Sequence, residues 1–125
     1  MELKNLTASL RKAEKLSLVL PEPIKQIVTE AKSRLKIQYQ DQIRDIILFG
    51  SYARGDYAEG SDLDLLLLLK DSLDYHAERE RYLNIAGDLS LKYDTLVSII
   101  PMDTETYTTR NSPFILNIRR EGIKV

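Results

Sequence analysis

The chain has 125 residues, no cysteine, and 18 basic against 19 acidic side chains, for a formal net charge of −1. That length predicts one domain with a core large enough to fold without staples. The missing cysteines exclude disulfides and thiolate metal sites, and the balanced charge weighs against a dedicated DNA- or RNA-binding protein, which shows a basic surplus.

Leu3, Leu6, Leu10, Ala13, Leu16 and Leu20 recur in steps of three and four and predict an amphipathic helix at about 3–20. Its stripe serves either the core or a partner. Pro21 and Pro23 stop it and start a second helix to about Gln40, with Ile24, Ile27, Val28, Ala31, Leu35 and Tyr39 as the buried face. Residues 44–49 form a first strand, whose run Ile46-Ile47-Leu48-Phe49 suits a strand covered on both faces. Residues 51–61 are turn and loop, and 62–70 a second strand.

Asp74 is placed to cap a helix running to about Leu91, with Tyr75, Tyr82, Ile85, Ala86 and Leu89 inward. Gly87 is expected to loosen it. Residues 92–100 read as a third strand with Asp94, Leu96, Ser98 and Ile100 on one face, ended by Pro101. After a polar loop or helix start at 103–112, Phe114, Ile115 and Ile118 mark a closing helix that Gly122 ends. No apolar run reaches transmembrane length, and the charged start (Glu2, Lys4) lacks a signal-peptide pattern. The expectation is a cytoplasmic protein with no membrane partner.

The chemistry concentrates in residues 50–64. Three of the five glycines fall between 50 and 60. Asp62 and Asp64 flank Leu63 at the mouth of the run Leu65 to Leu69, so both carboxylates leave one face of one strand. Paired hard oxygen ligands suit Mg²⁺, which binds through few carboxylates plus substrate phosphates. Two such ions, about 3.5–4 Å apart, clamp the attacking and leaving oxygens of an in-line displacement. Gly50 lets the chain turn sharply after Phe49. The Ser51 hydroxyl can donate to a phosphate, and Arg54, one turn on, can add a charge-assisted contact. Gly50 and Gly55 have the outer spacing of a P-loop, but Asp56 and Tyr57 follow where Lys and Ser or Thr are required. No G-x-G-x-x-G occurs.

These residues resemble the Gly-Ser-x10-Asp-x-Asp signature of the DNA polymerase beta superfamily of nucleotidyltransferases. The words Leu48-Phe49-Gly50-Ser51-Tyr52-Ala53-Arg54-Gly55 and Ser61-Asp62-Leu63-Asp64-Leu65 are similar to its small single-domain branch, the minimal nucleotidyltransferases (MNT). The resemblance covers about residues 43–70 and is looser beyond. It implies an α/β (α+β) fold, a small mixed sheet packed by helices, with ATP as co-substrate and two Mg²⁺ as cofactors. Many such proteins are antitoxins paired with a HEPN-domain ribonuclease toxin, and some add AMP to a tyrosine of that toxin. The implied site is Asp62 and Asp64 on the metals, with Gly50, Ser51 and Arg54 on the phosphates. Family members use a third carboxylate on a neighbouring strand. Asp94 is the match, implied as a third catalytic and metal-binding carboxylate that assists one ion or the acceptor proton, against the alternative of a strand-end aspartate facing water.

His76, the only histidine, reads as an exposed helical residue. A HEPN ribonuclease needs Arg separated from its His by four to six intervening residues. Leu69, Lys70 and Asp71 stand there, so the chain is not itself that toxin. Tyr52 and Tyr57 either contact base or acceptor or pack the loop. Little sequence remains for an acceptor pocket, so the expected acceptor is another protein, in a hetero-oligomer with the toxin. The alternatives are a non-catalytic nucleotide-binding antitoxin and a transferase acting on a small molecule such as an aminoglycoside, which an acidic pocket beside the metals would favour.

Overall fold

The computed structural model describes residues 20–72 and 74–125. The helix expected at about 3–20 lies outside them, save Leu20, which is buried in the core. Helix α1 (Ile24–Tyr39) buries Ile24, Ile27, Val28, Ala31, Leu35 and Tyr39, the stripe its periodicity marks. A 3-10 turn (Gln40–Gln42) leads into β1 (Ile43–Phe49). Then follow a one-turn helix α2 (Ser51–Arg54), β2 (Leu63–Leu69) and the long helix α3 (Tyr75–Tyr93). The chain continues through β3 (Val97–Asp103), α4 (Thr104–Thr109), α5 (Pro113–Glu121) and a two-residue β4 (Ile123–Lys124).

Among the described residues the strands form one sheet in the order β3-β2-β1-β4. β1 pairs antiparallel with β2 and β4, and β2 parallel with β3. The parallel pair requires a crossover, which α3 supplies. The sheet is mixed and covered on both faces, as expected for an α/β nucleotidyltransferase-like fold. One face carries Leu63, Leu65, Leu67 and Leu69 of β2 against α1 and α3. The other carries Leu66 and Leu68 with Ile47, Phe49 and Ile118 of α5. Two-sided burial explains why β2 is an unbroken leucine run from Leu65 to Leu69 rather than alternating.

Asp74 caps α3, its side chain accepting from the Ala77 N–H at 3.2 Å. The helix does not loosen at Gly87, because Ile85, Ala86 and Leu89 are buried on either side. A Cβ built on Gly87 meets nothing within 4 Å. Gly87→Ala is therefore expected to stabilise the protein by about 1 kcal/mol, measured by urea unfolding.

The third strand differs from expectation at both ends. Residues 92 and 93 stay helical because the last turn of α3 is tied to α1: Lys92 Nζ and the Tyr93 hydroxyl both donate to Glu30, at 2.7 and 2.5 Å. The strand also runs through Pro101 to Asp103. β3 is an edge strand, and proline, with no N–H to offer, is tolerated there. Gly122 ends α5 with an ordinary φ of −67°. Its small size matters for packing instead: a Cβ there would sit 2.5 Å from the Ile118 carbonyl and 2.7 Å from Ile47 Cγ2.

Candidate active site

β1 and β2 meet in register with Phe49 opposite Asp64. Asp64 lies on the same face of β2 as Leu66 and Leu68, the face that α5 covers further along. Asp62 precedes the strand by one residue, is exposed, and has the same parity. Asp64 is half-buried.

Directly after Phe49 the chain bends at Gly50, with φ 81° and ψ −159°, a conformation essentially closed to other residues. This bend aims the start of α2 at the strand end. A Cβ built on Gly50 would fall 2.5 Å from Asp64 Oδ2, so the carboxylate occupies the space a side chain would take. The structure thus brings Gly50 and Asp64, fourteen positions apart in the signature, into contact. Ser51 opens α2 and is half-buried beside them.

Arg54, at the end of α2, donates from Nε to Asp56 and from Nη1 to Glu121, each at 3.1 Å. Its charge still reaches Asp64. Burial foremost, and then the Asp62 charge, push the Asp64 carboxyl above the ordinary carboxylate range, while Arg54 opposes them. The folded chain therefore holds the Asp64 proton to higher pH than the unfolded chain does. Stability falls as pH rises through the window between the ordinary carboxylate value and the raised one. Asp64→Asn is expected to raise Tm near neutral pH in the absence of metal. That gain should shrink as the pH is lowered below the window, which thermal melts over a pH series would read.

Asp94 is not brought to the pair. It is the left-handed residue that ends α3, with φ 50° and ψ 44°, and it is exposed. The structural reason is that α3 runs on through Lys92 and Tyr93: β3 begins at Val97, and the residue in register with Asp64 is Ser98. Asp94 instead lines a cleft of about 690 Å³ with Glu22, Glu59, Ser61, Tyr52 and Tyr57. Tyr52 and Tyr57 stack with ring centroids 4.6 Å apart, Tyr52 being buried. His76 is exposed, as expected.

Among the described residues no group of three or more His, Cys, Asp or Glu side chains could hold a metal ion. The donor set at the strand mouth is two hard carboxylates beside a backbone cradle stripped of Cβ. Mg²⁺ is held by one or two carboxylates and substrate phosphates rather than by an all-protein cage. The residues present therefore fit Mg²⁺ arriving with a nucleotide.

Sequence reasoning missed two neighbours of the site. Glu121 reaches Arg54 across 67 positions. Phe114 meets Phe49 edge-on, with centroids 5.7 Å apart, and is 43% exposed. Nothing local marks either one. Only the return of the α5 amphipathic stripe onto the sheet carries them there.

The family profile described as nucleotidyltransferase domain matches residues 24–121. Two relatives from Methanocaldococcus jannaschii, each named a putative protein adenylyltransferase, align over most of the chain. One is 38% identical over 100 residues, covering 80% of this chain and 96% of its own. The other is 36% identical over 96 residues, covering 76% and 90%. Two solved complexes contain chains of the same fold. One, described as a toxin–antitoxin with AMP-PNP, gives a TM-score of 0.53 at 23% identity, covering 76% of this chain and 69% of the other. The second, a tri-AMPylated Shewanella oneidensis HEPN toxin with an MNT antitoxin, gives 0.53 at 20%, covering 81% and 70%. The profile match and the identity of the archaeal relatives, on a sheet that sets Gly50 against Asp64, show that the chain belongs to the nucleotidyltransferase domain family.

Proposed function

We propose that the protein transfers AMP from ATP to a hydroxyl, a tyrosine in our reading, of a partner HEPN ribonuclease toxin, and acts as its antitoxin. The observation that carries this is the contact between the Gly50 bend and the Asp64 carboxylate. In this reading the bend binds phosphate and the strand mouth binds metal, and their close approach supports a single shared site.

In this reading Asp62 and Asp64 would hold two Mg²⁺, the remaining ligands coming from the triphosphate. When bound, the metal supplies charge neutralisation at the α-phosphate and at the leaving oxygen. Gly50 and Ser51 cradle the β- and γ-phosphates through backbone N–H groups and the Ser51 hydroxyl. Arg54 adds positive charge beside them. The acceptor oxygen attacks the α-phosphorus in line, the bond from the α-phosphorus to the bridging oxygen breaks, and pyrophosphate leaves. Asp94, set apart from the pair, serves the acceptor from the cleft that opens beside Ser61. Among the described residues no helix is long and apolar enough to cross a membrane. Use of ATP supports a cytoplasmic setting, and the likeness to antitoxin chains solved in complex with toxins supports a hetero-oligomer with the toxin.

The test is incubation with ATP labelled at the α-phosphate, Mg²⁺ and the purified partner toxin. Label on the partner is expected. Its absence, with toxin neutralisation surviving Asp62→Ala plus Asp64→Ala, would instead establish an antitoxin that works by binding alone.

One observation favours a second reading. The cleft beside Ser61 is lined by Glu22, Glu59 and Asp94 and by no lysine or arginine among the described residues. Such a surface suits a cationic small acceptor such as an aminoglycoside. Turnover of labelled ATP with that acceptor, and no protein partner present, would favour it.

A further inference from the structure

Arg54 is the one group of the proposed phosphate site that the fold holds from two sides. Nε donates to Asp56 Oδ2 and Nη1 donates to Glu121 Oε1, both at 3.1 Å. Asp56 lies two positions along the same loop and is 62% exposed, whereas Glu121 is the last residue of α5 and only 17% exposed. The less exposed of the two anchors thus comes from α5, 67 positions along the chain. A guanidinium has five N–H donors in a rigid planar fork, so two carboxylates on different nitrogens fix its plane as well as its position. Among the described residues Nη2 has no acceptor, and its two hydrogens remain for a ligand. Glu121 itself is held in place. The Gly122 N–H donates to the Ile118 carbonyl at 2.7 Å, and β4 follows at once to pair with β1.

We infer that Glu121 is a positioning residue for the nucleotide: through Nη1 it orients Arg54 so that Nη2 faces the triphosphate above the Gly50 bend. The inference rests on the nucleotide-binding reading of Arg54. An arginine fixed before the ligand arrives does not lose its rotamer freedom on binding. An untethered one does, and that ordering weakens affinity by about three- to tenfold. The alternative is a latch, in which Glu121 competes with phosphate for Arg54, and it predicts the opposite sign.

The experiment is calorimetric titration of Mg-ATP into wild type, Glu121→Ala, Glu121→Gln, Arg54→Ala, Arg54→Lys and the double variant Arg54→Ala with Glu121→Ala, with a thermal melt of each. Glu121→Ala, which removes the acceptor of Nη1, is expected to raise Kd for Mg-ATP about three- to tenfold. Glu121→Gln keeps an oxygen that accepts from Nη1 and should stay closer to wild type. Arg54→Lys, which keeps the charge but not the fork, should weaken binding by a similar factor to Glu121→Ala. In the Arg54→Ala background Glu121→Ala should change Kd no further. A merely structural role for Glu121 would lower Tm yet act equally in both backgrounds. Unchanged or tighter binding by Glu121→Ala, while Arg54→Ala weakens it, would overturn the inference alone. Unchanged binding by Arg54→Ala would overturn the parent reading of Arg54. Should Glu121→Ala not fold, Arg54→Lys carries the test, and wild-type affinity there would overturn the fork argument.

Discussion

Asp62→Asn and Asp64→Asn are each expected to lower the rate of AMP transfer by about 10²- to 10⁴-fold. The pair is asked to contribute several kcal/mol of charge stabilisation, and each 1.36 kcal/mol is about tenfold in rate. The two variants should differ in the fold. Asp64 is half-buried, burial and the Asp62 charge hold its carboxyl above the ordinary range, and removing its charge is expected to raise Tm. Asp62 is exposed and contributes only the smaller of the two causes, so its loss should raise Tm less than the loss of Asp64. Initial rates under single-turnover conditions, read beside melts of the same samples, check both halves.

Gly50→Ala is expected to have the second largest effect, through geometry rather than charge. Its φ of 81° with ψ −159° is strained for any residue with a Cβ, at a cost of about 1–3 kcal/mol. The new methyl would also lie 2.5 Å from Asp64 Oδ2. Either the bend opens or the carboxylate moves. A misplacement of about 1 Å in such a site costs about 10²-fold in rate. The variant should therefore lose transfer and also bind Mg-ATP more weakly. An Ala variant with wild-type transfer would show that the close approach has no catalytic consequence.

What the sequence could reveal follows from the range of the forces involved. The α1 stripe, the Asp74 cap and the two strands around Gly50 are set by residues a few positions apart, and their patterns were readable. The pairing of Asp62 with Asp64 is read from the same local alternation, although the strand itself begins at Leu63. The end of α3 was not readable. Glu30, more than sixty positions away, holds Lys92 and Tyr93 in the last helical turn, and that contact moves Asp94 off the strand. Pro101 reads as a strand breaker until the strand order shows β3 at an edge. Glu121 and Phe114 look like ordinary residues of a terminal helix. They reach the site only because Ile115 and Ile118 bury α5 against the sheet.

The likeness of a motif does not by itself say which carboxylates act together. Here the register decides. Ser98, not Asp94, lies opposite Asp64 on the parallel strand.

The most direct measurement is a crystal structure with a non-hydrolysable ATP analogue and Mn²⁺ in place of Mg²⁺, with the metal located by anomalous scattering. The account predicts metal density bridging Asp62, Asp64 and the α-phosphate, with the outer phosphates over Gly50 and Ser51. Nucleotide bound instead in the cleft lined by Glu59 and Asp94, with no metal between Asp62 and Asp64, would contradict it.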